Sequence, residues 1–375
     1  MSPRCLLATC LSLLGAVALL PALACAQGLA RGGTPDSDRA PPVNSAAQPS
    51  PYRAVRDWGQ LTLERRPWGA SNNVAIDRDG KTVWATDRCT APITPGCLGN
   101  PGNPIHHFDE SGRETLSFGG GMFLWPHGLH VDGDGNIWVT DARTPTADDL
   151  QKFPDARNKG SVVVKFSPAG KVLMTLGTPG VRGNPPAALA DPTAVITDPA
   201  NGDVYVAESH MDVGDPNLIS RISVFDRNGK FLRSFGKAGT GPGEFRTPHA
   251  LAFDSHGNLV IADRHNHRVQ LMTKRGEFVR EYTSFSRVSG LVVDANDILY
   301  ATDSESTETV HPGWSRGLRI GSLADGRVTM FVPPHKTNSP EGAMGEGIAL
   351  DSRGNIYLAE SIVLGVTKLV KEPKP

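Results

Sequence analysis

A charge excess of either sign is missing from this 375-residue chain: 38 Lys and Arg stand against 39 Asp and Glu, for a net charge of -1. That balance excludes a globally basic nucleic-acid binder and an acidic solvating tail. Aromatic residues are scarce, at 6%, yet 39% of the chain is hydrophobic, enough for a real core and too much for wholesale disorder. No Gly-x-Ser-x-Gly segment occurs, so a serine hydrolase has no anchor. The apolar run from Leu6 to Leu20 falls short of the ~20 residues of a membrane-spanning helix. Turn formers, by contrast, are plentiful: 41 Gly and 30 Pro are spread between strand-like runs, implying many tight turns.

Residues 1–26 read as an export signal of bacterial type. Arg4 supplies the positive start, the apolar run follows, and Ala24-Cys25-Ala26 offers a small-residue cleavage site. Leu23-Ala24-Cys25 leaves open a lipoprotein in which Cys25 is acylated, so the expected location is secreted or periplasmic, with or without a lipid anchor. Residues 27–50, rich in Ser, Pro, Ala and Gly, read as a flexible linker, and 51–375 as the folded domain. Of five cysteines, Cys5, Cys10 and Cys25 leave with the signal or lie at its edge. Cys89 and Cys97 remain as the pair for a disulfide in an oxidising compartment, with free thiols as the alternative.

One pattern recurs six times: an alternating apolar run, an Asp, a turn, a second alternating run, then Asp or Glu. The copies begin at Asn73, Gly128, Ala194, Ala250, Gly290 and Gly347. Each reads as a β-hairpin around turns such as Asp134-Gly135-Asn136 or Arg353-Gly354-Asn355, and a second hairpin follows most of them. Four strands per repeat imply an all-β, six-bladed β-propeller. The last copy is followed by a single strand-like segment, Val366 to Val370, so an N-terminal strand from the Tyr52 to Leu63 region is expected to close the ring.

In a propeller, residues at equivalent points of different blades meet at the central channel. His127 and His249 each stand directly before a first strand, and Glu346 stands at the same phase of the last blade. Two imidazoles and a carboxylate facing one axis suit zinc with an open fourth position, or ferrous iron. Packing or capping histidines are the plain alternative.

Trp125-Pro-His-Gly-Leu-His-Val-Asp132, Asn136-Ile-Trp-Val-Thr-Asp141, Pro192-Thr-Ala-Val195, Thr247-Pro-His-Ala-Leu251 and Ile261-Ala-Asp-Arg264 resemble the peptidyl-α-hydroxyglycine α-amidating lyase branch of the NHL-repeat propellers. The resemblance runs from about Trp58 to Lys371. It implies a zinc centre that supports cleavage of an α-hydroxyglycine to an amide and glyoxylate. His127 and His249 match two zinc-ligand positions, while Glu346 stands where the family has a third histidine. Arg88 and Arg264 match arginines that hold the substrate carboxylate and the developing charge, a task suited to a guanidinium fork. The family's catalytic tyrosine has no counterpart. Glu208-Ser209-His210 stands there, followed by an insertion from Met211 to Ile219, and leaves His210 as a general base, a third nitrogen ligand or a loop residue. A structural calcium would be reached by the backbones of Val74 and Leu129, but Gly347 occupies the position of the family's Asp.

The expected function is therefore an exported, metal-dependent, lyase-like enzyme that breaks the C–N bond of an α-hydroxyglycine-type substrate carrying a carboxylate, small or peptidic. Two rivals stand beside it: a non-catalytic propeller binding a peptide, glycan or protein, and a metal-dependent lactonase or other hydrolase. No nucleic-acid partner is expected.

Overall fold

The computed structural model describes residues 42–46, 50–90, 96–210 and 218–372. They form six antiparallel four-stranded sheets, each a blade. The innermost strands are Val74–Ile76, Pro126–Val131, Pro192–Thr197, Pro248–Phe253, Gly290–Val293 and Gly347–Leu350. Each packs against its counterpart in the next blade, and the last against the first, so the ring is complete. Five blades take their four strands in chain order. The sixth takes its outermost strand from the N-terminal side: Tyr52–Trp58 pairs antiparallel with Gly365–Lys371, Tyr52 opposite Lys371. The signal segment and most of the expected linker lie outside the described residues. Within the linker, Arg319 donates to the backbone oxygen of Val43 and to Asn44.

The recurring acids explain why the repeats fold alike. The first acid shapes the turn of the inner hairpin: Asp132 Oδ1 accepts from the backbone N–H of Asp134 and of Asn136 at 2.9 and 2.8 Å. Asp254 and Asp351 do the same in their blades. This is an Asx turn, and Gly135 at φ 85° supplies its left-handed residue. The second acid is buried at the end of the second strand and pins the segment that leads into the first. Asp141 accepts from the N–H groups of Leu124 and Trp125, Glu208 from Ala190, and Asp263 from Arg246. In these three blades the acid that closes the hairpin thus fixes the residues just before the channel.

Apolar side chains of the alternating strands fill the spaces between blades. At the ring closure, Trp58 of the N-terminal strand lies 5.7 Å from the Phe108 ring of blade one and 4.8 Å from Tyr357 of blade six. Its indole belongs to a buried cluster that includes Val83, Ala359 and Val366. Trp58→Ala is expected to cost about 3–5 kcal/mol, read as a lowered denaturant midpoint. An unchanged midpoint would mean that the closing strand contributes little to stability.

Candidate active site

Aligning the blades by strand register places Asn72, His127, Thr193, His249, Ser289 and Glu346 at one level around the axis, each one residue before the position of Gly128. In blades two, three and four the pairing register shifts here, and such a bulge re-aims side chains toward the channel. The strands approach closely as well. A Cβ on Gly128 would meet the Thr193 carbonyl oxygen at 2.6 Å, and one on Gly347 would meet that of Asn72 at 2.5 Å. Glycine is the residue that fits after His127 and after Glu346.

Alternate members of this ring play different parts. His127, His249 and Glu346 project functional atoms to the axis. Thr193, Ser289 and Asn72 orient them from the following blade: His127 Nδ1 donates to the Thr193 carbonyl at 2.8 Å, and His249 Nδ1 to the Ser289 carbonyl at 2.6 Å. Asn72 donates to Glu346 Oε2. With Nδ1 committed as a donor, each neutral imidazole presents an Nε2 lone pair to the centre, the tautomer that a metal ligand requires. His249 Nε2 has no hydrogen-bond partner although it is buried. Glu346 Oε1 lies 3.7 Å from His127 Nε2 and 3.4 Å from His249 Nε2.

His210 completes the group. Ser209, before it, holds φ 134°, a strained value for a side-chain-bearing residue, and its N–H is anchored on the Asp191 carbonyl. This backbone directs the His210 ring inward, edge-on to Trp125, with Nε2 3.1 Å from His127 Nε2. One potential ligand atom from each of His127, His210, His249 and Glu346 lies within 4.8 Å of all the others, and all four residues are buried. The donor set fits zinc or ferrous iron.

Electrostatics favours the ligand-ready forms. Burial, reinforced by Arg264, pulls His249 down to about 4. Burial and the neighbouring His127 bring His210 well below its ordinary value, and burial lowers His127. For Glu346 burial pushes upward, but the neighbouring His127 and His249 and the charge of Arg88 hold it well below the usual carboxylate range.

Two arginines flank the cluster from blades one and four, each directly following the second acid of its hairpin. Arg88 packs its guanidinium carbon 3.7 Å from the centroid of the Trp125 ring. Among the described residues its Nε and Nη2 are buried without partners, and burial lowers it to about 10, so it stays charged at neutral pH. Arg264 Nη1 lies 3.6 Å from Glu346 Oε1 and donates to Glu305 Oε1 at 3.2 Å. Next to Arg88, Cys89 is joined to Cys97 by the expected disulfide, and Cys89 itself holds φ 64°. Most of the insertion after His210 lies outside the described residues.

Further along the axis, the inner strands enclose a cavity of ≈ 320 Å³ whose lining includes Val74, Leu129 and Gly347. Backbone and apolar groups dominate, and no carboxylate lines it. A calcium held there would have backbone carbonyls such as those of Val74 and Leu129, and waters, as its ligands, with no carboxylate from the described lining residues. Among the described residues no helix is long and apolar enough to cross a membrane.

The NHL repeat family matches residues 245–270. Mouse peptidyl-glycine alpha-amidating monooxygenase is 30% identical over 315 residues, which cover 78% of this chain but 28% of that protein. The chain thus spans under a third of that relative. Peptidyl-alpha-hydroxyglycine alpha-amidating lyase 2 of Drosophila melanogaster is 28% identical over 322 residues, 78% of this chain and 70% of the fly protein. This chain is an NHL-type six-bladed propeller resembling the peptidyl-α-hydroxyglycine α-amidating lyases. A solved structure described as a gluconolactonase from Xanthomonas campestris superimposes with TM-score 0.53 over 88% of this chain and 97% of that one. At 13% identity it shares the fold alone.

Among the arginines and ring residues of this NHL propeller, sequence reasoning missed Thr193, Ser289 and Asn72, which orient the cluster, and the Arg287–Glu305 pair beyond Arg264. Only the blade-phase signal that found His127 could have pointed to the first three. If a metal occupies the cluster, the depressed imidazoles keep their lone pairs well below neutrality. Zinc loaded at pH 7 should stay bound at pH 5.5 and be released as the pH falls through about 4. A colorimetric chelator reads this out, and release already near pH 6.5 would contradict it.

Proposed function

We propose that the protein is an exported, metal-dependent lyase that cleaves the C–N bond of an α-hydroxyglycine-type substrate, giving an amide and glyoxylate. The observation that carries this reading is the buried three-histidine, one-glutamate cluster beside Arg88, whose guanidinium has donors to spare. The name of the fly relative, an alpha-amidating lyase, agrees with the cleavage.

His127, His249 and Glu346 would hold zinc or ferrous iron, which when bound supplies Lewis-acid polarisation of the substrate hydroxyl. Arg88 grips the carboxylate through Nε and Nη2, with Trp125 behind it restricting the guanidinium plane. Arg264, shared between Glu346 and Glu305, opposes negative charge developing on the substrate oxygen. His210 takes the hydroxyl proton at Nε2. As the C–N bond breaks and the C=O of glyoxylate forms, the imidazolium passes that proton to the departing amide nitrogen, so the reaction needs no co-reactant. A histidine this strongly disfavoured as a cation gives the proton up readily but is a weak base, so its uptake of the proton would rely on a hydroxyl acidified by the metal. Burial of the cluster excludes water from the exchange.

Elemental mass spectrometry of the purified protein is expected to find about one zinc or iron per chain, absent from His127→Ala/His249→Ala. No metal after incubation with zinc or reduced iron would remove the lyase and leave a binding propeller. With an N-acyl-α-hydroxyglycine as substrate, Arg88→Ala should lower kcat/KM of glyoxylate release at least about 30-fold, the equivalent of ~2 kcal/mol for a charged, buried contact. His210→Ala should lose turnover and keep its metal. Loss of both would make His210 a ligand instead of the base.

A further inference from the structure

Around Arg264 lies a second charged group, of which the proposed chemistry uses Arg264 alone. Glu305 sits in the loop after the strand Ile298–Asp303, with its carboxylate between two guanidiniums. Oε1 accepts from Arg264 Nη1 at 3.2 Å, and Oε2 accepts from Arg287 Nε and Nη2 at 3.1 and 2.7 Å. Arg287 comes from the loop before Gly290 and also contacts His265 Nε2 at 2.9 Å. The three side chains differ in exposure. Those of Arg264 and Arg287 are 5% and 6% exposed, while that of Glu305 is 39% exposed. Among the described residues Arg264 Nε has no partner.

The two arginines are therefore fixed walls, and the carboxylate is the member that reaches solvent. Its backbone is held, with the Glu305 N–H on Asp303 Oδ1 at 3.2 Å, so departure requires side-chain rotation alone. Departure without replacement would leave Arg287 without a carboxylate and Arg264 with Glu346 alone, two buried guanidiniums short of a counter-charge. Another anion must arrive as Glu305 leaves. Arg264 also touches Glu346 of the metal cluster, so an anion taking this place would lie beside the reacting group.

We propose that Glu305 is an exchangeable internal carboxylate occupying an anion subsite formed by Arg264 and Arg287, and that a ligand carboxylate displaces it. The subsite is separate from Arg88, and the assignment of substrate class rests on the reading of Arg88 as the first carboxylate's anchor. The favoured substrates then carry a second acidic group, and Glu305 sets a threshold against ligands that lack one. Arg287 is a specificity residue in this scheme.

The test is calorimetric titration of the metal-loaded protein with succinate, a dicarboxylate that needs no turnover. Glu305→Gln, which keeps the side chain's shape and removes its charge, should bind succinate at least about fivefold more tightly than wild type, since the site no longer competes with itself. The gain should persist when Arg88→Gln is added and vanish when Arg287→Gln is added. Circular dichroism and thermal melts confirm that each variant is folded. Unchanged or weaker binding by folded Glu305→Gln, or a gain that survives Arg287→Gln, would overturn the proposal and make Glu305 a fixed brace for Arg264. Glyoxylate release by a protein that shows no such gain would refute this subsite and spare the lyase. A gain in a protein without lyase activity would do the reverse.

Discussion

Six inner strands converge on one axis, and the space among them admits one side chain per blade at any level. Everything in the candidate site follows from that crowding. Glycines stand after His127 and Glu346 because the neighbouring backbone leaves no room for a Cβ. Backbone carbonyls of Thr193 and Ser289 lie against the imidazoles because the next blade is pressed against them. A ring of six positions then divides into alternating functional and orienting residues, so that each reactive side chain is set by the blade that follows it. A site built this way is rigid, since moving one ligand means moving a sheet.

The burial that gives rigidity also sets the charge states. Imidazoles kept neutral by desolvation and a carboxylate kept ionised by its neighbours are the forms that a cation needs, and the fold prepares them before any cation arrives. Arg88 shows the same principle with the opposite sign. A guanidinium held against Trp125 with unused donors is costly unless a ligand satisfies them, so the fold stores a demand for an anion.

The blades were legible because their signals are local. Alternation of period two and an Asp followed by a glycine turn are chemistry that a hairpin carries in its own sequence. His127, His249 and Glu346 could be found because they share one phase of the repeat, and Cys89 with Cys97 because the other cysteines fall at the signal. Thr193 and Ser289 share that phase, but nothing in their side chains marks them: they act through a carbonyl, which every residue has. His210 reaches the cluster because Ser209 adopts an unusual backbone angle, which no side-chain pattern announces. Arg287 and Glu305 lie in loops outside the repeating pattern, where period carries no information, and their meeting depends on the blades being assembled.

The pairing of Tyr52 with Lys371 has a temporal side. The first strand of the propeller to be synthesised is the last to find its partner, because that partner is made some three hundred residues later. Until then an edge rich in alternating residues must wait without its neighbour, and Trp58 has no Tyr357 to pack against. Propellers of this design thus fold against a long loop closure, which slows the final step and lengthens the interval in which an open edge is presented to other chains. Once closed, the same strand acts as a clasp, holding the first and last strands of the propeller side by side.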